Sequence, residues 1–370
     1  METSGSVPGS AVAPDEVVDL VRRPGPFATV LLCTQSDIEN ASQRSEQRWK
    51  PLRAELLDQG APDEVVAAVD PLVAEAHLYG EGLAVVVPAS GGAHVEHLPE
   101  APDRDVVRWG TLPLLAPLLA SHQRSIAHVV VLIDRLGADL HGVSREGADL
   151  EVAVKGDDHP IQRSKPGGWS QRRYQERVQS TWDQNAGEVA DAVVRLVERL
   201  DAHIVLVAGD VRAVQLLRQR LPDHVACMLR EVDGSRATDG SEAITEAEVR
   251  TWLATAVADD TRRLLEKLRE EGGQHDRAAD GLEATMAALS EARAAALLVP
   301  TELDGPGLWF GADTVPVAAS RQALIDLGGD EPQEGPAVDV LIRAALGTGA
   351  AVRIIPAGAL PDQVGAILRW

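Results

Sequence analysis

Short apolar runs alternate along most of the chain with stretches whose apolar residues recur every three or four positions. Runs of six to eight mostly apolar residues predict buried strands at 27–34, 128–133, 203–209 and 294–299. Between them, spacings such as Val189, Val193, Leu196 and Leu200 predict amphipathic helices. Strands that alternate with helices in this way predict an α/β fold with helices packed on the sheets.

The N-terminal part predicts one such unit over residues 14–125, after a disordered tail at 1–13. The strand "FATVLLCT" precedes a polar helix that Gly60 closes and that Pro51 kinks or breaks. A second helix covers 61–79, and "GLAVVVPAS" pairs with "AHVEHLPE" in a hairpin that turns at Gly91-Gly92. A short helix interrupted by prolines, "TLPLLAPLLASHQ", ends the unit.

The middle part predicts a second unit over residues 126–240. It begins with three strands and then has a loop at 162–175, which leads into a long amphipathic helix. The strand "HIVLVAGD", the helix "VRAVQLLRQRLP" and a further strand "DHVACMLREV" complete it.

The C-terminal part predicts a third unit over residues 241–370, whose first element is a linking helix at 241–275. Helices and strands then alternate again to the end of the chain. The tripeptide Gly272-Gly273-Gln274 follows a helix rich in charged residues, and we interpret it as a plain helix end.

Composition limits the possible functions. The 370 residues are 45% hydrophobic and 25% charged, and the formal charge of -22 argues against broad, nonspecific nucleic-acid binding. The cysteines Cys33 and Cys227 form neither a metal spacing nor a disulfide framework, which favours a reduced, cytoplasmic compartment. No apolar run approaches the ~20 residues of a membrane span, and the N-terminus lacks the pattern of a signal peptide.

The predicted loop in the middle unit is basic although the chain is acidic. Gly167 and Gly168 let the backbone approach another surface closely, and Pro166 stiffens its entry. Five cations in or beside the loop stand against one carboxylate, Glu176, and two aromatic rings offer stacking surfaces for bases. The candidate RNA-binding residues are Arg163, Lys165, Trp169, Arg172, Arg173, Tyr174 and Arg177.

Other candidate sites are weaker. His94 and His97 alternate on a predicted strand, and without a third ligand nearby we interpret them as a solvated face and expect no metal. The segment "GTGAAV" precedes a strand where a dinucleotide-binding motif would follow one. With no P-loop, nucleophile elbow or kinase signature in the sequence, we expect no cofactor.

Taken together, these segments resemble one protein family across almost the whole chain. "FATVLLCT" with "YGEGLAVVVPAS", "HVVVLIDRLGADLHGVSREG", and "LGTGAAVRIIPAGALPDQVGAILRW" are similar to the three domains of the archaeal and eukaryotic-type peptide-chain release factors and Pelota. The likeness is greatest to the bacterial branch, which includes the hibernation factor Balon and relatives of a peptidyl-tRNA hydrolase of ribosome rescue.

The resemblance implies an α/β protein of three domains. These are an N-terminal α/β domain, an RNase H-like middle domain with an exposed Gly-Gly loop, and a C-terminal α/β/α sandwich. It further implies binding to the ribosomal A site and 23S rRNA as a monomer, with tRNA and an elongation-factor-type GTPase as further partners and no membrane partner.

The sequence departs from the family at the loop. Release factors carry Gly-Gly-Gln there, whereas this chain has Gly167-Gly168-Trp169 and a Gln only at Gln171. One hypothesis is therefore a binding factor that places residues 165–175 near the peptidyl-transferase centre in hibernation, stress or rescue. A second is a peptidyl-tRNA hydrolase in which Gly167, Gly168 and Gln171 are catalytic and Gln171 orients water. A third, a ribosome-independent hydrolase or nuclease, rests on fold alone. Without an Asn-Ile-Lys-Ser-type signature in the N-terminal unit, we do not expect stop-codon-dependent termination.

Overall fold

The computed structural model describes residues 15–34, 41–76, 81–98, 100–134, 136–145, 149–155, 168–234, 246–274 and 277–370, with the backbone alone at 41–43, 149, 155, 168–183, 246 and 274. The chain divides into two compact units. The first unit joins Met1–Arg124 to Ala256–Trp370, and the second is Ser125–Thr255. Within the described ranges, no helix is long and apolar enough to cross a membrane.

The N-terminal part of the first unit is a four-stranded antiparallel sheet of order β3-β2-β1-β4 with helices on both faces. Its elements are α1 (Asp15–Leu20), β1 (Phe27–Cys33), α2 (Ala41–Asp58), α3 (Asp63–Glu75), β2 (Gly82–Pro88), β3 (His94–Leu98), β4 (Val106–Gly110) and α4 (Ala116–Arg124). Alternate residues of β1 face opposite sides, because side chains in a strand repeat every two positions. Val30 and Leu32 therefore pack towards α2 and α3, whereas Leu31 joins the core that contains α1 and α4.

The C-terminal part of the first unit is an α/β/α sandwich with a small added sheet. Its elements are α8 (Glu246–Gln274), which begins in the second unit, β10 (Ala278–Asp280), α9 (Leu282–Ser290), β11 (Ala294–Val299), β12 (Leu308–Phe310), β13 (Val317–Ala318), α10 (Arg321–Asp326), β14 (Gln333–Gly335), α11 (Ala337–Gly347), β15 (Ala351–Ile354) and β16 (Gly365–Leu368). The main sheet has the order β10-β16-β11-β15, and the added sheet has the order β13-β12-β14. Leu264 and Leu268 of α8 cover one face of the main sheet, and α9 and α11 cover the other.

One hydrophobic core runs through both parts of the first unit. Residues of β1, α1 and α4 lie in the same cluster as residues of α9, β11 and α11. At the edge of the main sheet, the amide of Gln123 in α4 pairs with the backbone of Ile354 in β15, in the manner of a neighbouring strand. Its Nε2 donates to the Ile354 carbonyl at 3.1 Å, and its Oε1 accepts from the Ile354 N–H at 2.6 Å. The two parts are therefore packed together as one compact body.

The second unit is a five-stranded mixed sheet of order β7-β6-β5-β8-β9. Its elements are β5 (His128–Ile133), β6 (Gly137–Val143), β7 (Asp149–Lys155), α5 (Gly168–Leu200), β8 (Ile204–Gly209), α6 (Val211–Arg220), α7 (Asp223–Ala226) and β9 (Leu229–Glu231). The first three strands are antiparallel, and β8 and β9 continue the sheet in parallel with β5. This is the topology expected of an RNase H-like middle domain.

Four local expectations differ from the structure. Pro51 does not break α2, because buried Trp49 and Leu56 on either side of it hold the helix against α3. The predicted strand "DHVACMLREV" begins with the short helix α7, and only Leu229–Glu231 is extended. The strand β4 was not predicted, since "VVRWG" is only five residues long and contains a charged arginine. The expected loop at 162–175 is helical from Gly168 onward, because Gln, Arg and Glu are good helix formers.

Candidate functional site

Helix α5 is much longer than the sheet that it covers. Its C-terminal half buries Val189, Val193 and Leu196 against the sheet of the second unit. This packing reaches the carboxyl end of β5 near Asn185, which lines a small cavity together with Ile133 and Asp134. Among the residues whose side chains the structure describes, the packing of α5 on the sheet thus extends from Leu196 back to about Asn185.

The N-terminal half of α5 extends away from that sheet edge. Gly168 precedes Asn185 by 17 positions, and the helix between them is continuous. A rise of ~1.5 Å per residue places Gly168 about 25 Å further along the helix axis. The structure thus carries the end of the predicted loop on a long helical extension.

Some of the candidate residues lie on this extension, and the others lie outside the described ranges. Arg163, Lys165 and Gly167 lie outside them. The others occupy the first three turns of α5, namely Gly168, Trp169, Gln171, Arg172, Arg173, Tyr174 and Arg177.

Helical spacing places Trp169, a candidate RNA-binding residue, and Gln171, the candidate catalytic residue, on different sides of α5. The Cα atoms of Trp169, Arg172 and Arg173 lie on one side of the helix, since positions three and four apart are neighbours there. The Cα atom of Gln171 lies on the opposite side, because each residue turns the helix by ~100°. Trp169, Arg172 and Arg173 therefore group together, and the candidate catalytic Gln171 does not join them.

His94 of β3 belongs to a half-buried cluster of histidine and glutamate side chains, and His97 is also partly buried, so neither lies on the solvated face that we expected. The side chain of His94 is 12% exposed, and its Nε2 lies 3.6 Å from Oε2 of Glu96. His122 of α4 contacts the other oxygen of Glu96, and Glu16 of α1 lies 3.5 Å from His94. Sequence reasoning missed His122 because it is 26 positions from Glu96 and joins it only in the fold.

Interactions within this cluster change the pKa of Glu96. Burial alone would raise the pKa of Glu96, but hydrogen bonds and charge interactions with His122 and His94 lower it to about 2. The pKa of His97, further along the same strand, is lowered by burial. Within the part of the chain that the structure describes, no group of three or more His, Cys, Asp or Glu residues could hold a metal ion.

A second set of buried charges lies on α11. The Asp339 carboxylate is 2.6 Å from the Arg108 guanidinium of β4, although the angles there depart from those of a hydrogen bond. Burial raises the pKa of Asp339 to about 6, against the opposing influence of Arg108. One turn later, Arg343 donates to the carbonyls of Val21, Ala312 and Asp313. These charges join the two parts of the first unit and do not line a cleft.

The tripeptide Gly272-Gly273-Gln274 lies at the C-terminal end of α8. Its position agrees with the interpretation as a helix end.

The middle of the chain is similar to one protein family. Residues 127–274 match the model of the "Bacterial archaeo-eukaryotic release factor family 2". Over 368 residues, the chain is 28% identical to the uncharacterized protein Rv2629 of Mycobacterium tuberculosis (strain H37Rv), and the match covers 95% of each chain.

Solved structures of translation factors are also similar to this chain. Dom34 of S. cerevisiae, described as a translation termination-like factor, is 8% identical, with a TM-score of 0.41, over 78% of this chain and 79% of Dom34. Pelota of Archaeoglobus fulgidus is 18% identical, with a TM-score of 0.38, over 78% of this chain and 79% of Pelota. The expected resemblance to the release factor and Pelota superfamily is confirmed, and the family model locates it in residues 127–274.

Proposed function

We propose that this protein is a ribosome-associated translation factor that occupies the A site and places residues 165–175 near the peptidyl-transferase centre, in ribosome hibernation or rescue. The match to a release factor family supports the general role in translation. The expected 23S rRNA contact, and tRNA and an elongation-factor-type GTPase as partners, belong to this proposal.

The single observation that supports it most is the extension of α5. A segment that enters a deep ribosomal cavity has to stand clear of its own domain. The continuous helix from Gly168 to Asn185 supports this role, since a rise of ~1.5 Å per residue sets Gly168 about 25 Å along the axis from Asn185 at the sheet edge. Arginines suit phosphate recognition and Trp169 suits stacking on a base, so this end of the helix has the chemistry to bind RNA.

The alternative function is hydrolysis of peptidyl-tRNA by Gln171. Its support is that Gln171 lies in the first turn of α5, three positions after Gly168. In a hydrolase this amide would orient the attacking water, and the glycines would let the backbone approach the ester. Because Gln171 and Trp169 lie on opposite sides of the helix, the two functions predict different sensitive residues.

Stalled ribosome complexes that carry labelled peptidyl-tRNA can separate the two functions. Ribosome binding without peptide release, weakened about tenfold or more by Trp169→Ala, is the result expected for a binding factor. Peptide release that is abolished by Gln171→Ala is the result expected for the hydrolase.

The chain supplies matched controls for both variants. Trp252→Ala removes a part-exposed Trp from α8, and Gln184→Ala removes an exposed Gln from α5 close to the sheet edge. Neither control should change binding or release. A protein that does not sediment with ribosomes in any functional state contradicts both functions.

A further inference from the structure

Strand β7 forms one outer edge of the sheet in the second unit. Among the described strands it pairs only with β6, and their antiparallel register is continuous from Asp149 to Lys155. Alternate residues of such a strand direct their backbone N–H and C=O groups away from the neighbouring strand. The outer edge of β7 is therefore a row of backbone donors and acceptors that another strand can use.

This edge lacks features that usually protect an outer strand. Within the described part of the chain, the other outermost strands have two to five residues, whereas β7 has seven. Its sequence, "DLEVAVK", contains no proline, and its pairing with β6 has no bulge. Short length, proline and bulges are common means of preventing an edge from pairing with another chain. Of these outer strands, β7 is the one best suited to such pairing.

The apolar side of β7 continues to the edge of the sheet. Leu150, Val152 and Val154 lie on one side of the strand, because side chains alternate, and Leu150 and Val154 pack against the core of the second unit. Val152 lies between them and is 37% exposed. Glu151 and Ala153, on the other side of the strand, are exposed as well. The middle of β7 is thus accessible to solvent on both sides, although its core side is apolar.

We propose that β7 is the interface of a homodimer, in which it pairs antiparallel with β7 of a second copy around a two-fold axis at Val152. The two five-stranded sheets then join into one continuous sheet. Because a two-fold axis uses the same edge on both copies, the contact closes on itself and does not extend into a filament. This inference goes beyond the proposed function, does not depend on it, and departs from the monomer that the family resemblance implies.

The apolar residues of β7 are complementary to themselves in this register. Val152 lies opposite Val152 of the second copy, and Leu150 lies opposite Val154, so apolar residues face one another along the core side of the joined sheet. Glu151 lies opposite Ala153 and does not face another carboxylate. Apolar pairs across antiparallel strands stabilise a sheet, and this pairing also removes the exposed surface of Val152 from water.

The charged residues at the two ends of β7 fit the same register. The backbone alone places Asp149 opposite Lys155 of the second copy, and by symmetry Lys155 opposite Asp149. Opposite charges at facing positions stabilise a strand pair, whereas like charges destabilise it. A register centred on Glu151 would bring two carboxylates face to face, and one centred on Ala153 would leave the first two residues of the strand without a partner. This self-complementarity favours a second copy of the chain over an unrelated extended peptide.

Sedimentation velocity of the full chain, from micromolar to submillimolar concentrations, tests the inference. We expect the wild type to show an equilibrium between monomer and dimer. Val152→Glu places two carboxylates opposite each other at the two-fold axis and should raise the dimer Kd about tenfold or more. The matched control is Val211→Glu, which makes the same exchange at a position of α6 that is 73% exposed. The control should leave Kd within about twofold.

Charge exchange at the ends of β7 tests the register and leaves the apolar residues unchanged. Asp149→Lys and Lys155→Asp each create like charges at both facing pairs, so each variant alone should dimerise about tenfold more weakly. A mixture of the two variants restores opposite charges at both pairs and should form a heterodimer with a Kd within about twofold of the wild-type value. Circular dichroism of each variant shows whether the fold is retained.

Three results would overturn the inference. The first is a wild-type chain that stays monomeric at every concentration. The second is a dimer that Val152→Glu and Val211→Glu weaken equally, and the third is a mixture of the charge variants that does not form heterodimers, since the contact then lies elsewhere. Ribosome binding is a separate measurement, and a protein that dimerises through β7 without binding ribosomes contradicts only the proposed function.

Discussion

Two buried arginines of the first compact unit differ in environment from two exposed arginines of the second. In the first unit, Arg343 and Arg353 are only 6% and 3% exposed, and their guanidinium groups bind backbone carbonyls or a threonine hydroxyl. In the second unit, Arg212 and Arg218 are exposed on one helix face. The comparison teaches that the buried arginines fix the body of the first unit, whereas the exposed ones lie where ion pairs add little to stability.

The largest expected effect is that of Arg343→Ala. The substitution leaves three backbone carbonyls without their donor and removes a guanidinium that lies 5.1 Å from the centre of the Phe310 ring. The carbonyl of buried Val21, left unsatisfied, costs about 1–3 kcal/mol, and the loss of a long buried side chain adds a packing cost, so the free energy of unfolding of the first unit should fall by about 3 kcal/mol or more. Urea denaturation, monitored by circular dichroism, measures it.

Arg369→Ala is the control for this prediction. Arg369 also donates to three carbonyls, those of Ala292, Thr348 and Gly349, but it is exposed and water can replace it. The expected loss is below about 1 kcal/mol, in the range of exposed substitutions. Equal losses for the two variants would contradict the assignment of a joining role to Arg343.

An intermediate effect is expected from Asp339, and it depends on pH. The folded state raises the pKa of Asp339 from 3.8 to about 6, so the folded protein binds the proton more tightly than the unfolded chain. Stability from this group is therefore gained as pH falls from about 6 towards 4 and is lost as pH rises again. The difference of about two units corresponds to about 3 kcal/mol at most.

Asp339→Asn isolates this contribution. The free energy of unfolding of the wild type, relative to that of the variant, should increase between pH 7 and pH 4.5, measured by urea denaturation at each pH. A relative stability that does not change with pH would show that Arg108 keeps the carboxylate ionised throughout, and would contradict the raised pKa.

The smallest expected effect is that of replacing the exposed arginines of the second unit. Arg212→Gln/Arg218→Gln should change the free energy of unfolding by no more than about 0.5 kcal/mol, because both side chains are exposed and the Arg218–Glu231 pair is weak. The same urea denaturation measures it. A loss above about 1.5 kcal/mol would show that these arginines stabilise the domain, and the contrast between the two units would disappear.

The sequence predicted the strands and long helices well because their apolar residues are local signals. The run 27–34 and the turn at Gly91-Gly92 were read correctly from a few residues. The buried charges could not be read in this way. Asp339 and Arg343 look like the polar side of an amphipathic helix, and packing against residues far along the chain, up to 322 positions away, buries them.

The candidate site was predicted only in part. The sequence identified the segment that begins α5, but its own pattern of Gln and Arg could not show where the loop ends and the helix begins. How far Gly168 lies from the sheet depends on where the sheet ends beneath α5, and the sequence of α5 does not contain that information. The roles of Trp169 and Gln171 stay predictions, because the side chains of 168–183 lie outside the described ranges.

The amide of Gln123 has a further consequence for the outer edge of the C-terminal sheet. It occupies the backbone groups of Ile354 on the outermost strand of the C-terminal sheet. An outer strand with open backbone groups is a template for strands of other molecules and hence for aggregation. One side chain from a distant part of the chain thus blocks this strand edge. The substitution Gln123→Leu would leave the edge open to intermolecular β-pairing.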